Sequence, residues 1–286
     1  MTRKATGWLV AMAVLAPLAA RAQDEGSWTL QAMDLTNGVL KAQWMDIRIE
    51  QVEVLPIRQA RATYRLHRQP SRWVLGDARR SAEGDALTYL VDEKDGPKGE
   101  EVPPGFEAAI DQGIATWIAE PCLSKIQIVK QPYTGEDADI FDAQFGYGEL
   151  GDWKAADIVF GGWMPPSFFD AVIGKGGGET VLALSVTFIF VGPDGKPTDV
   201  DGDHYFDVAT NEIYFNDGFA WAVGGDVDVA TVVLHEIGHT LGIGHFGPPP
   251  LATMNPVYAG PSPRLSSWDR AAACSIWSSW HCDEEP

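Results

Sequence analysis

The sequence predicts an α+β fold: one domain over residues 71–286, behind a cleavable leader and a short N-terminal extension. Three observations carry that reading. From residue 87 onward the apolar patterning runs strand, helix, four strands, then two helices, with no internal repeat. Hydrophobic residues make up 45% of the 286, enough to pack one large core. The charge changes character near residue 80, from nine basic and seven acidic residues over 23–80 to nine basic and 33 acidic over 81–286.

The chain opens MTRKATGWLVAMAVLAPLAARAQ. Arg3 and Lys4 precede an apolar stretch over residues 7–20, and Ala20-Arg21-Ala22 offers the small residues that a signal peptidase needs. Residues 1–22 therefore read as a secretion signal, the apolar stretch being short for a bilayer span of ~20 residues. No cysteine follows the cleavage point to take a lipid. Removal takes three basic and no acidic residues, leaving 18 Lys and Arg against 40 Asp and Glu, a net charge of −22. That charge disfavours nucleic acid and anionic membrane surfaces as partners and suits a secreted, extracytoplasmic protein. The chain is expected to be a monomer.

Residues 23–70 read as an extension or pro-segment. Residues 44–55 alternate loosely, as an exposed strand does. Arg58, Arg61, Arg65, Arg68 and Arg72 then recur every three to four residues. The basic run from 58 to 80 is expected to dock on the acidic domain and hold it latent.

Within the domain, 87–91 is a strand and 92–105 a charged loop rich in Gly and Pro. Residues 106–119 place Ala109, Ile110, Ile114, Trp117 and Ile118 at helical spacing, and Pro121 stops that helix. Strands are expected over 126–129, 156–160, 180–191 and 212–215, and 174–178 is a glycine-rich loop without phosphate-binding regularity. Asp226 or Asp228 caps a helix reaching Leu241, which Gly242 ends, and a last helix fits 266–280. Of Cys122, Cys274 and Cys282, two can pair in an oxidising compartment, and all three pairings are open.

The chemistry concentrates in His235-Glu236-Ile237-Gly238-His239-Thr240-Leu241-Gly242-Ile243-Gly244-His245. His235 and His239 are four residues apart, so on a helix both imidazoles project from one face and can bind one Zn²⁺ at ~2.0–2.1 Å. Gly242 breaks the helix, and the chain bends to return His245 to the metal. Three neutral histidines leave a fourth position for water, the arrangement of a catalytic site. Glu236, next to the first ligand, is placed to act as general base. Chance produces this pattern in such a chain with a probability on the order of 10⁻⁵ at typical residue usage.

These residues resemble the extended zinc signature of the metzincin metalloproteases. Met254, nine residues after His245, fits the methionine turn beneath the metal in that group, and Met254-Asn255-Pro256-Val257-Tyr258 resembles the matrixins. The resemblance implies a metzincin-type catalytic domain: a mixed five-stranded sheet, a backing helix, an active-site helix and a C-terminal helix. It implies a zinc metalloendopeptidase acting on proteins or peptides, with Pro256, Val257 and Tyr258 lining the pocket for the residue after the cleaved bond. Substrate is expected along the exposed edge of the strand at 180–191.

The sequence also departs from the matrixin pattern. Residues 23–80 lack the cysteine that usually caps the zinc, so latency would need another group, such as Asp24, Asp34 or Asp46. Phe246 replaces a small serine, and Leu184 stands where a structural-zinc histidine is usual, against a second zinc. Asp199, Asp201, Asp203 and Asp207 alternate through one loop, which reads either as a matrixin-like calcium site or as a solvated acidic turn. It is not an EF-hand, since Thr210 stands where that loop needs its glutamate. A catalytically silent, secreted zinc-binding module with a blocked cleft is the alternative function.

Overall fold

The computed structural model describes residues 27–31, 44–53, 71–80, 84–92, 97–99, 101–148, 150–190, 192, 196–247 and 249–278, the first two stretches as backbone strands only. The leader 1–22, Asp24, Asp34, the arginines at 58, 61, 65 and 68, and Cys282 lie outside the described residues.

Strands β1 (Ser27–Gln31), β2 (Trp44–Glu53), β3 (Ser71–Arg72) and β4 (Leu87–Val91) come first, then helix α1 (Phe106–Ile118). Next are β5 (Ile128–Lys130), β6 (Ile158–Met164), α2 (Pro166–Ile173), α3 (Gly177–Thr180), β7 (Val181–Ile189) and β8 (Phe206–Asn216). The small pair β9 (Trp221–Ala222) and β10 (Val227–Asp228) leads into α4 (Val229–Thr240), and α5 (Ser267–Trp277) closes the described chain.

The expected five-stranded mixed sheet is present in the order β5-β4-β6-β8-β7, parallel except for β7. β4, buried at all five positions, reads as a continuous apolar run because both faces of a parallel sheet are covered. The sheet is also wider than expected. β3 adds to β8 in parallel, and the outer edge of β7, expected to be exposed, carries β2 in antiparallel pairing with β1 beyond it. Nine consecutive buried residues without a charge make β7 an edge that would otherwise present an unprotected row of N–H and C=O groups.

The two faces bury different clusters, as the two-residue period of a strand requires. On β8, Ile213 and Phe215 join the larger core with Trp73, α1 and α4, while Tyr214 joins Phe141, Phe168, Phe169 and Phe188 in the smaller one. α1 crosses α4 closely: a Cβ at Gly113 would come within 2.7 Å of Ile237 Cδ1. Within the smaller cluster, Glu212 holds the long β5–β6 connection by accepting Ile140 N and Phe141 N, both at 3.0 Å, and the Tyr214 hydroxyl at 2.7 Å. α2 was not legible in the sequence; it starts at a proline, whose missing N–H costs nothing at a first helical position. Cys122 is bonded to Cys274, tying the turn after α1 to α5 and excluding the short Cys274–Cys282 loop.

Of the basic run from 58 to 80, the described members Arg72, Arg79 and Arg80 pair with carboxylates of the domain. Arg72 Nη2 meets Asp203 Oδ2 at 2.5 Å, Arg79 Nη2 meets Asp207 Oδ2 at 2.6 Å, and Arg80 Nη1 meets Asp157 Oδ2 at 3.1 Å. All three lie at 71–80 and not in the segment that was expected to be removable.

Candidate metal centre

Helix α4 is fixed at both ends before its histidines come into play. Asp228 is the N-cap: Oδ2 accepts Thr231 N at 3.0 Å, satisfying an otherwise orphaned donor. At the other end the last carbonyls have no helical partner, and tryptophans supply one. Trp73 Nε1 donates to Thr240 O at 2.7 Å and Trp277 Nε1 to Leu241 O at 2.9 Å, while Trp117 on α1 reaches Leu234 O at 2.8 Å. Gly242 then takes φ +82°, where a Cβ would come within 2.5 Å of Ser71 O, so glycine alone turns the chain here without strain.

That turn brings the three expected histidines together. Nε2 of His235 lies 3.0 Å from Nε2 of both His239 and His245, and the latter two are 3.1 Å apart. His235 Nδ1 lies 2.6 Å from Thr253 O and His239 Nδ1 2.7 Å from Ile243 O. A carbonyl can only accept, so these Nδ1 atoms carry the protons and the Nε2 atoms turn their lone pairs toward one another. Converging lone pairs repel unless a cation lies among them, and a tetrahedral ion with ~2.1 Å bonds holds its nitrogens ~3.4 Å apart. The donor set therefore fits zinc. Glu236 is buried completely beside the triad in sequence, and His235 and His239 are nearly so.

Met254 lies under α4. It is fully buried, and a Cβ at Gly238 would collide with its sulfur and come within 3.0 Å of Trp117, so the turn sits against the bare backbone of the helix. The turn is held by a residue that the sequence reading missed. Asp269 on α5, fully buried, accepts Thr253 N and Met254 N at 3.0 Å and Ser266 N at 2.7 Å. Its signal was available, because Ser266-x-x-Asp269 has the form of a capping box and the structure contains one. Asp269 thus orients Thr253, whose carbonyl orients His235.

Beside His235 lies a cavity of about 440 Å³ between α4 and the chain from 251 to 266. Val257 and Tyr258 line it; Pro256, between Asn255 and Val257 in the chain, is not among its lining residues. The Tyr258 hydroxyl accepts Asp228 N at 2.8 Å, and burial, aided by the negative Asp228 and Asp226, pushes the phenol above its ordinary value.

The acidic loop is a different case. Carboxylates of Asp199, Asp201 and Asp207 come within 4.8 Å of one another, but Asp203 does not join them and pairs with Arg72. Asp207, the buried member, spends its oxygens on Arg79, on Thr198 Oγ1 at 2.5 Å and on Val200 N at 3.2 Å. Guanidinium groups thus neutralise Asp203 and the buried Asp207, which leaves Asp199 and Asp201 as the oxygens a calcium ion could still draw on.

Residues 182–278, from β7 to α5, match the family model described as Matrixin. The match supports a matrixin-type metzincin assignment for this part of the chain. It covers part of the chain only, but that part contains the three histidines, Glu236, Met254 and Asp269. The matrixin family is one of zinc metalloproteases, and the histidine triad of this matrixin-type domain is the donor set that such an enzyme needs. No curated protein matches the chain. Among the described residues no helix is long and apolar enough to cross a membrane.

Proposed function

We propose that the chain is a secreted zinc-dependent endopeptidase that hydrolyses internal peptide bonds, with Glu236 as general base. The observation that carries this reading is the meeting of three imidazole Nε2 atoms within 3.1 Å, with a fully buried carboxylate one residue after the first. His235, His239 and His245 would hold the ion. When bound, zinc supplies a polarised carbonyl and a water acidic enough to react near neutral pH. His235 and His239 stay oriented through Nδ1–H bonds to Thr253 O and Ile243 O, which also raise the basicity of Nε2. Glu236 accepts the water's proton as the carbonyl carbon is attacked and delivers it to the departing amine nitrogen. Substrate lies as an extended strand along β7, and the side chain after the cleaved bond enters the cavity beside His235.

In this reading residues 1–22 are the signal, 23–70 a removable extension and 71–286 the catalytic unit. The test is digestion of casein or gelatin by the zinc-loaded protein with and without a chelator, alongside Glu236→Ala. Cleavage should be chelator-sensitive and absent in the variant, which should still bind zinc one to one. Undiminished turnover in the variant removes Glu236 as the base.

One observation favours the silent zinc-binding module as a second reading: β2 already fills the β7 edge. Persistent absence of chelator-sensitive cleavage, even after residues 23–70 are removed, would select it.

A further inference from the structure

The cavity beside His235 has walls whose polar groups are largely spent. Thr231 Oγ1 donates to Asp228 Oδ2 at 2.5 Å and accepts Ser262 N at 2.7 Å. Thr253 Oγ1 donates to Arg264 O at 2.9 Å, and the Tyr258 hydroxyl is bonded to Asp228 N. Asn255 gives Nδ2 to the carbonyls of Phe246 and Pro250 and takes Ala252 N on Oδ1. What remains, besides the Ser262 hydroxyl, is Arg264. It is exposed and permanently charged, the one lining residue of the cavity with a fixed charge, and among the described residues no carboxylate lies within ion-pair distance of it.

We propose that Arg264 selects a side chain ending in a carboxylate, glutamate above all, at the residue that follows the cleaved bond; this rests on the endopeptidase reading above. A guanidinium presents a rigid fork of donors that matches a carboxylate in two parallel hydrogen bonds, whereas an amide or hydroxyl uses it only in part. Val232, Val257 and Leu265 offer apolar wall for the methylene groups that must pass before the charge arrives. Aspartate is shorter by one methylene. The selectivity is local: residues 81–286 carry 33 acidic against nine basic residues, so the wider field repels acidic peptides. The preference is therefore confined to this one subsite, and other positions favour neutral or basic residues.

The test uses the zinc-loaded full chain and two readouts. Peptides that differ only in Glu or Leu after the scissile bond report turnover, and zinc-directed hydroxamates with the same two side chains report affinity by calorimetry. The glutamyl forms should be favoured about tenfold in both, with the advantage shrinking at ~1 M salt. Arg264→Ala should erase the advantage, and Arg264→Glu should turn it toward a lysyl analogue, while the leucyl forms change little. If both peptides are cut but the ratio is unity, or is the same in Arg264→Ala, the inference falls and the endopeptidase reading stands. If neither peptide is cut while hydroxamate affinity still follows Arg264, the inference about the cavity stands and the endopeptidase reading fails. Equal hydroxamate affinities, or none, overturn the inference.

Discussion

The indole N–H of Trp73 donates to the carbonyl of Thr240 at 2.7 Å, across 167 residues of sequence. Thr240 is the last residue of the helix that carries His235 and His239, where carbonyls lack helical partners, so a residue from the start of the domain completes the end of the helix. Trp73→Phe keeps one aromatic ring and removes the donor with the rest of the indole. It should cost at least about 1–3 kcal/mol, because a buried carbonyl loses its partner and the smaller ring leaves part of a fully buried site unfilled. Urea unfolding of the zinc-free protein reads this directly, and a midpoint unchanged from wild type would show that the bond contributes nothing.

What the sequence made legible was local. Imidazoles four apart on one helix face, a glycine to break the helix and a third histidine beyond it define the candidate metal centre without any distant partner, and the three rings meet in the structure. The residues that hold the centre act over long range. Asp269 carries only a capping signature, which gives no hint that its carboxylate also supports the methionine turn. Eleven tryptophans are visible in the sequence, but not that three of them, from three distant parts of the chain, bond to one helix and its end. The β7 edge looked open because strand pairing depends on which other segment meets it, and periodicity cannot report that. The β5–β6 connection was opaque for another reason: it folds around Glu212, a buried carboxyl group 72 residues on from Ile140, and has no period of its own.

The arginine pairs on the acidic loop make a prediction about calcium. With Arg72 on Asp203 and Arg79 on Asp207, two of the loop's four carboxylates are neutralised from within the chain, among them Asp207, the buried member of the group with Asp199 and Asp201. Millimolar calcium should leave the melting temperature of the wild-type protein unchanged. In the Arg72→Ala, Arg79→Ala double variant the carboxylates are left uncompensated, so the protein should melt lower and recover in calcium, since an ion that binds only the folded state stabilises it by mass action. A clear calcium-dependent rise in the wild type would reverse the assignment and restore the loop as an ion site.

Buried carboxyl groups behind the sheet predict how stability varies with pH. Burial pushes Glu212 up to about 8 and Asp139 up to about 11, and Asp139 is helped by hydrogen bonding to Asp142. Both folded values lie above the ordinary values of 4.5 and 3.8. The folded state thus binds protons more tightly, and stability is greatest below those ordinary values and is lost as pH rises through the folded ones. Thermal melts should fall steadily from pH 5 to pH 9. Asp139→Asn keeps a donor toward Asp142 without an ionisable proton, and its melting temperature should fall less over the same range. A melt that is flat or rises across the range contradicts the burial of protonated acids there.

The β2–β7 pairing bears on latency, and it can be separated from the electrostatic account. Ile47 to Glu53 pair with Phe188 back to Val181, so β2 and an extended substrate would compete for one row of backbone donors and acceptors. A chain starting at Ser71 keeps Arg72, Arg79 and Arg80 with their carboxylate partners and loses only the covering strands. It should cleave casein at least about tenfold faster than the chain starting at Gln23, the smallest gain expected if releasing the edge removes as little as 1.4 kcal/mol of competition. Salt distinguishes the two causes. Backbone pairing is insensitive to ionic strength, whereas docking by Arg58, Arg61, Arg65 and Arg68 would be screened once the Debye length falls to ~3 Å at 1 M. A gap that persists at high salt assigns latency to β2, a gap that closes assigns it to the arginines, and equal activity of the two chains at all salt concentrations removes the extension from regulation altogether.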